Sequence, residues 1–335
     1  MKTALLDGWT RLDALAGEWN ALLARSRSDR IFLTWEWIQA WRSIVGDLVR
    51  PLVVVARDGA GALAGIGPFY TMGLKLAGVL PYRSLRTLGD YHTGAECLDW
   101  IARQDVEAEA MAAIAAALRD AGGWDCLWMP YVAHYDGARD RIAAACASAG
   151  FYLHERPCEF GRVDLPATLE AYEKSLSSGF RNEVRKRRRD TFEKAGATLV
   201  RCATEAEREP LLEALFDLNH RRWSERGITG TFVRKPFEAR FYHEFTRTAL
   251  ERGWLRLAAV KVGDAVKAVQ IGYVYKKTFY SLQEGFDPEG PPGVGNALRI
   301  KVIEACIAEG VTTYDFLGEV TEHKIRWQAK RCEGR

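Results

Sequence analysis

The stretch GFDPEGPPGVGNALRIKVIEACIAEG, residues 285–310, decides how the rest of the chain is read. A long apolar pattern of helical period, expected over 297–309, starts behind two prolines and a Gly-x-Gly. Gly293, Gly295 and Asn296 carry small or absent side chains, which leaves the backbone N–H groups of the helix start open. No acid stands between Gly293 and Lys301, and Arg299 and Lys301 fall where a helix start favours negative charge. A docked phosphate would answer both features. A stiff loop with Asn296 as its N-cap is the simpler alternative. Leu298 occupies the third-glycine place of a dinucleotide fingerprint, and neither a P-loop nor a G-x-S-x-G pattern occurs.

Outward from this stretch, strands are expected over 278–286 and 312–318. A strand–turn–strand reading covers WLRLAAVKVGDAVKAVQIGYVY, residues 254–275. Helices are expected over 168–176, 181–194, 210–226 and 236–252, with a strand over 198–202. The first half repeats much of this order. Helical patterns over 11–24 and 35–45 precede the hairpin PLVVVARDGAGALAGIGPFY, residues 51–70. Strands within 82–102, a helix over 108–118, a strand over 124–129, a helix over 138–148 and a strand over 151–164 follow. The match of the two hairpins predicts an internal duplication with a period of roughly 200 residues, far longer than a solenoid repeat. The expected organisation is α+β: two domains, 1–160 and 161–335, each a twisted, mostly antiparallel mixed sheet flanked by helices. Ser, Gly and Pro are sparse around 150–166, so the halves are expected to pack tightly.

Composition sets bounds on partners. The net charge is +3, with 48% hydrophobic and 27% charged residues, ordinary for globular domains. Apolar runs are too short to span a bilayer, and the first residues lack a secretory core. Seven scattered cysteines without C-x-x-C, and six histidines without an H-x-x-x-H pair, predict a reducing cytoplasm, no disulfide framework and no bound metal. The charge is uneven, however: residues 181–189, RNEVRKRRR, hold six basic residues against one acid.

The duplication supplies an internal control. The helix of the first half opens with Asp105, Glu107 and Glu109, which answer its dipole themselves. The helix of the second half has no such acids, so only the second copy reads as a phosphate site.

Strand, glycine-rich loop, helix and short strand in this order resemble the core of the GNAT acyltransferases. The chain is similar in particular to the double-GNAT group of CelD-like and BcsL-like proteins, associated with cellulose and exopolysaccharide synthesis and related to the Fem-type aminoacyl transferases. The resemblance rests on residues 34–41, 175–196, 215–227, 282–298 and 314–327, taken in order. It implies tandem GNAT folds with a sheet splayed at its middle and an acyl thioester lying in the splay. The first half would be a degenerate copy serving as scaffold and acceptor wall. The donor would be acyl-CoA, in the first instance acetyl-CoA, with its pyrophosphate at Gly293, Val294, Gly295, Asn296 and Ala297. Fem-type relatives use aminoacyl-tRNA instead, and a catalytically inactive module binding in exopolysaccharide assembly is a third reading. The acceptor would be a small molecule or a glycan precursor. Such a domain usually supplies one more strand after Trp327, so either another segment fills that place or the sheet is short.

Direct acyl transfer needs a base, donors for an oxyanion, and a proton for the leaving thiolate. Alternation along 312–318 puts Asp315 opposite Tyr314 and Phe316, either as the base or as a structural acid bonded to backbone or to Lys324. Glu284, on the strand beside the thioester, and Asp287, at the turn before Pro288, are further carboxylate candidates. Tyr314 could protonate the thiolate or simply fill the core. Arg181, Arg185 and Lys324 are candidate phosphate ligands, and Arg222, Trp223 and Trp327 candidate acceptor contacts, each weighed against a solvated or packed role. Phe180, Val184, Thr191 and Phe192 mark the buried side of the basic helix.

Overall fold

The computed structural model describes residues 1–224 and 227–335. The chain divides into two compact units, Met1–Glu159 with Cys332–Arg335, and Phe160–Arg331. In the first unit, β1 (Lys2–Asp7), β2 (Arg50–Arg57), β3 (Leu63–Leu76), β4 (Leu80–Thr87) and β6 (Cys126–Trp128) lie side by side in that order, and β5 (Ile101–Ala102) pairs β3. The second sheet contains β7 (Cys158–Asp164), β8 (Thr198–Arg201), β9 (Leu255–Val262), β10 (Ala265–Tyr275), β11 (Thr278–Phe286), β12 (Thr313–Gly318) and β13 (Lys330–Gly334). Their spatial order is β13-β7-β12-β11-β10-β9-β8.

The duplication is visible strand by strand. β1-β2-β3-β4-β6 and β8-β9-β10-β11-β12 follow the same path, with antiparallel neighbours until the last pair. That pair is parallel in both copies, β4 with β6 and β11 with β12, and the crossover is a long helix, Glu107–Ala121 or Val294–Ala308. A crossover of this kind is what a parallel pair requires. A strand does form after Trp327, namely β13, but it takes the sheet edge, and the place beside β12 is filled from elsewhere in the chain. β7, which precedes the second unit's helices, runs antiparallel to β12, and β13 lies beyond β7.

The sequence expectation differs from the structure at several elements, among them the unexpected β13 and the strands expected within 82–102, which form only as β4 and β5. β1 was not anticipated, because the polar Lys2 and Thr3 mask a short edge strand. The helix expected over 11–24 is two helices, Trp9–Asp13 and Ala16–Leu23. Of the strand expected over 151–164 only Cys158–Asp164 forms. The helix expected to open at Pro210 starts at Glu205, where the Glu207 carboxylate accepts from the N–H groups of Ala203 and Thr204 and caps the first turn. The end of that expected helix, Glu225 and Arg226, lies outside the described residues.

Helix Val294–Ala308 is apolar nearly all round because it is buried on nearly every side. Val294, Leu298 and Ile303 pack in one cluster with Phe180 and Val184 of helix Ser178–Arg189, with Phe279 and Tyr314 of the sheet, and with Trp327. Each such buried side chain contributes about 1.5–3 kcal/mol. Helix Glu205–Ser224 lies directly on β11: a Cβ at Gly285 would stand 2.9 Å from Leu218 Cβ, so only glycine permits that approach. Among the described residues no helix is long and apolar enough to cross a membrane.

Candidate acyl-donor site

β11 and β12 pair only over Thr278–Tyr280 and Thr313–Asp315. Beyond Tyr280 the remainder of β11 runs on without that partner, which splays the sheet. The chain then turns through Asp287–Pro292 into helix Val294–Ala308. Gly293 is the N-cap, with φ at 75°, a left-handed conformation that glycine adopts without strain. No side chain caps this end, and the first turn holds no acid. Val294 N–H donates to Pro291 O and Ala297 N–H to Gly293 O, while the N–H groups of Gly295 and Asn296 have no partner among the described residues. Arg187, from the basic helix, lies against Gly293, where a Cβ would meet its Cδ at 2.6 Å. Its buried Nε has no hydrogen-bond partner among the described residues. The result is an uncapped positive helix end with a guanidinium beside it, a combination suited to a phosphate.

At the splay itself sits a linked set of polar side chains. Arg299 is 5% exposed. Its Nε donates to Glu284 Oε1 at 2.9 Å and its Nη2 to Glu284 Oε2. Its Nη1 meets His323 Nε2. Because Arg299 can only donate, His323 Nε2 accepts, and the imidazole proton resides on Nδ1. Burial first, then the charge of Arg299, pushes the His323 pKa down to about 4, so the ring is neutral at pH 7. The Arg222 guanidinium stacks 4.5 Å from the Phe286 ring and adds to the positive field at His323. Gly295 also lies against that ring, its would-be Cβ 3.3 Å from Phe286.

Comparison with known families bears on this geometry. Residues 178–325 match the model described as acetyltransferase (GNAT) domain. The second unit has the GNAT fold. With the same strand path in the first unit, the chain is a tandem GNAT-like α+β protein. Among solved structures it is similar to FemX at 12% identity and a TM-score of 0.65, over 99% of this chain and 96% of that one. It is also similar to L-PGS from Bacillus licheniformis at 13% identity and a TM-score of 0.52, over 89% and 90% of the two chains. A conserved protein from Bacteroides thetaiotaomicron aligns at 12% identity and a TM-score of 0.54, over 95% and 96%. No curated protein matches by sequence.

Within the GNAT domain the other candidates are placed as follows. Asp315 is 1% exposed, accepts from Leu317 N–H at 2.8 Å and pairs with Arg162 Nε at 3.3 Å. It holds a bulge in β12, where Leu317 has φ at 60°. Lys324 closes the same bulge from outside by donating to the carbonyls of Phe316, Leu317 and Gly318. Its ammonium thus supports the same stretch of backbone that Asp315 holds. Asp287 accepts from Lys267 Nζ at 2.8 Å and from Glu289 N–H, and Lys267 holds its carboxyl below the usual range. It shapes the loop ahead of Gly293. Tyr314 is fully buried, accepts from Gln270 Nε2 at 2.5 Å, donates to Ser281 Oγ at 3.3 Å, and has its phenol pushed up by burial. Trp327 is also fully buried, edge-on to Phe180, with its carbonyl accepting from Tyr172. Both side chains are packed in the core. Arg185 and Arg188 are bound to the buried Glu173 at 2.7 and 3.0 Å, and Arg181 donates to Lys174 O at 3.4 Å. Arg222 and Trp223 stack on one another near Phe286.

Three residues of this site were not assigned a role from the sequence. Arg299 was read as a first-turn cation awaiting an anion; the helix starts at Val294, so Arg299 lies in its second turn and Glu284 supplies the negative charge. His323, inside EHKIRW, and Arg187, inside the basic run, carry no distinguishing local pattern. Separately, Glu209, Glu213 and His243 each bring one potential ligand atom within 4.8 Å of the others. His243 bridges both carboxylates at 3.1 and 3.4 Å across two helices, a spacing that no single-helix motif reveals.

Proposed function

We propose that the second unit transfers an acyl group from acyl-CoA to an amine or hydroxyl acceptor, by direct attack in a ternary complex. The observation that supports this most is the uncapped start of helix Val294–Ala308 at the splay, with Arg187 against Gly293. There the N–H groups of Gly295 and Asn296 and the Arg187 guanidinium would take the pyrophosphate. The pantetheine arm would run along the unpaired part of β11 towards Glu284. In the proposed step the acceptor's lone pair forms a bond to the thioester carbon, and the C–S bond breaks. His323 Nδ1–H donates to the developing oxyanion. Glu284, held by Arg299, accepts the proton lost by the acceptor, and the CoA thiolate then takes up a proton. The first unit is assigned no donor site, because Glu107 and Glu109 stand in the first turn of the equivalent helix and would repel a phosphate. A polysaccharide-related acceptor is supported by the family resemblance alone.

The aminoacyl-tRNA reading draws on the basic helix Ser178–Arg189. Two of its arginines, Arg185 and Arg188, are spent on Glu173, which weakens that reading. Titration calorimetry with acetyl-CoA tests the proposal. Saturable binding is expected, reduced in Arg187→Ala and lost in Gly295→Glu. Absence of CoA binding, together with salt-sensitive binding of charged tRNA, would overturn it in favour of the aminoacyl reading. If neither ligand raises the melting temperature, the binding-module reading stands.

A further inference from the structure

The hairpin β3–β4 ends in a tip that the fold does not require. Residues 75–81 are all exposed, and Leu76, Val79 and Leu80 are 61%, 78% and 61% exposed. The register pairs Leu74 with Tyr82 and Leu76 with Leu80, so these four side chains share one face. Lys75 pairs with Pro81 and Gly73 with Arg83, which places both cations on the opposite face. The tip is thus amphipathic across its own thickness. The equivalent connection in the second copy, between β10 and β11, is only Lys276 and Lys277, without any apolar tip. The extension is therefore a property of the first unit and not of the repeated topology.

We propose that this hairpin docks on the surface of an anionic phospholipid bilayer. Leu76, Val79 and Leu80 enter the boundary between headgroups and acyl chains, with Lys75 and Arg83 at the level of the phosphates. Charge complementarity selects this occupant. From Thr71 to Gly89 the chain has no acidic residue, while Lys75, Arg83 and Arg86 are basic. Arg86 is engaged by Asp90, and the Asp125 carboxylate accepts from the Arg83 N–H; Lys75 and the Arg83 guanidinium, which donates to Gly123 O at 3.3 Å but meets no carboxylate in that bond, supply the tip's charge. Shape points the same way. The backbone of a paired hairpin is largely satisfied from within, as an apolar interface demands, and Val79 N–H closes the turn onto Leu76 O. A few side chains on a narrow tip bury far less than the roughly 1,200–2,000 Å² of a stable protein interface. This inference does not depend on the acyl-transfer reading.

The test is co-sedimentation of the full chain with vesicles of phosphatidylcholine alone and of phosphatidylcholine mixed with phosphatidylglycerol. Binding to the mixed vesicles, well above that to the neutral ones and weakened by salt, is expected. The double variant Leu76→Ser, Leu80→Ser should lower the partition coefficient by about tenfold or more, with an unchanged melting temperature. Val79→Asp, at the unpaired turn position, gives the same readout if the double variant unfolds. Equal affinity for both vesicle types, or binding that survives these substitutions, overturns the proposal. So does a concentration-dependent dimer, without lipid, that the same substitutions abolish, since the tip would then be a contact between copies of this chain.

Discussion

The two crossover helices of this molecule occupy the same place in the same topology and begin in opposite ways. Helix Glu107–Ala121 opens with Glu107 and Glu109 in its first turn. Those acids are answered in turn by Arg141 at 3.2 Å, Arg27 at 3.3 Å and the Met1 ammonium at 3.3 Å, so that end is electrostatically closed. Helix Val294–Ala308 starts behind Gly293 with valine, glycine and asparagine, has no acid in its first turn, and has Arg187 against Gly293. One copy answers its helix dipole with its own acids, and the other leaves it open where the proposed phosphate would dock. A duplicated fold thus provides what a single domain cannot, a reference state for its own site.

The comparison can be broken or sharpened by measurement. The largest effect concerns Arg299, which would belong to the ligand site if the pairing with Glu284 were incidental. Arg299→Met should cost about 3 kcal/mol in urea unfolding, the scale of a broken buried ion pair, with acetyl-CoA affinity of the folded protein unchanged. A fall in affinity instead would put Arg299 at the donor. Next is Gly293→Val, which sets a side chain against Arg187 in a left-handed backbone. Calorimetry should record about a hundredfold weaker acetyl-CoA, or about 2.7 kcal/mol. Asn296→Asp makes the open helix start resemble the closed one, and its two readouts should move in opposite directions: stability rises by about 0.5 kcal/mol while acetyl-CoA binding weakens about tenfold.

The fourth expectation concerns pH. The unfolded chain protonates His323 near pH 6.5, whereas the folded chain does so only at about 4. Between those values the unfolded state binds more protons, so acidification favours unfolding. His323→Gln should flatten that part of the stability profile, and an unchanged slope would mean that Arg299 and burial do not hold the ring neutral. Smallest is Glu109→Gln in the first copy, whose carboxylate is largely exposed. It should lower stability by about 0.3–0.5 kcal/mol and leave acetyl-CoA affinity alone.

Much of this was legible in the residues. The hairpins, both crossover helices and the strand that carries Asp315 follow from apolar period and turn residues, which are local signals. The acid-rich and acid-free helix starts could also be read directly. What was not legible depended on distance in the fold. Glu284 and Asp315 look alike as carboxylates on strands, and only packing shows that one meets Arg299 at the splay and the other supports a bulge. Trp327 has the chemistry of an acceptor contact and Tyr314 that of a proton donor, yet both are wholly buried, where large aromatic area is worth most. The basic run reads as one patch of charge, whereas Glu173, itself buried, claims Arg185 and Arg188 and leaves Arg187 to the helix start.

The borrowed strand β7 has a consequence for how the molecule is made. Its partner β12 lies roughly 150 residues further along the chain, and the segment between them includes helices Ser178–Arg189, Glu205–Ser224 and Val294–Ala308, while helix Glu322–Arg326 with His323 follows later still. During synthesis β7 emerges early and must wait as an unpaired edge until Gly318 has been added. The splay that would hold the thioester therefore forms late, while the first unit's own sheet, β1 to β6, can pair from its own contiguous strands. Ribosome-bound chains halted before residue 313 should show an exposed β7 beside a first unit that still lacks its segment Cys332–Arg335, the state most in need of protection from aggregation.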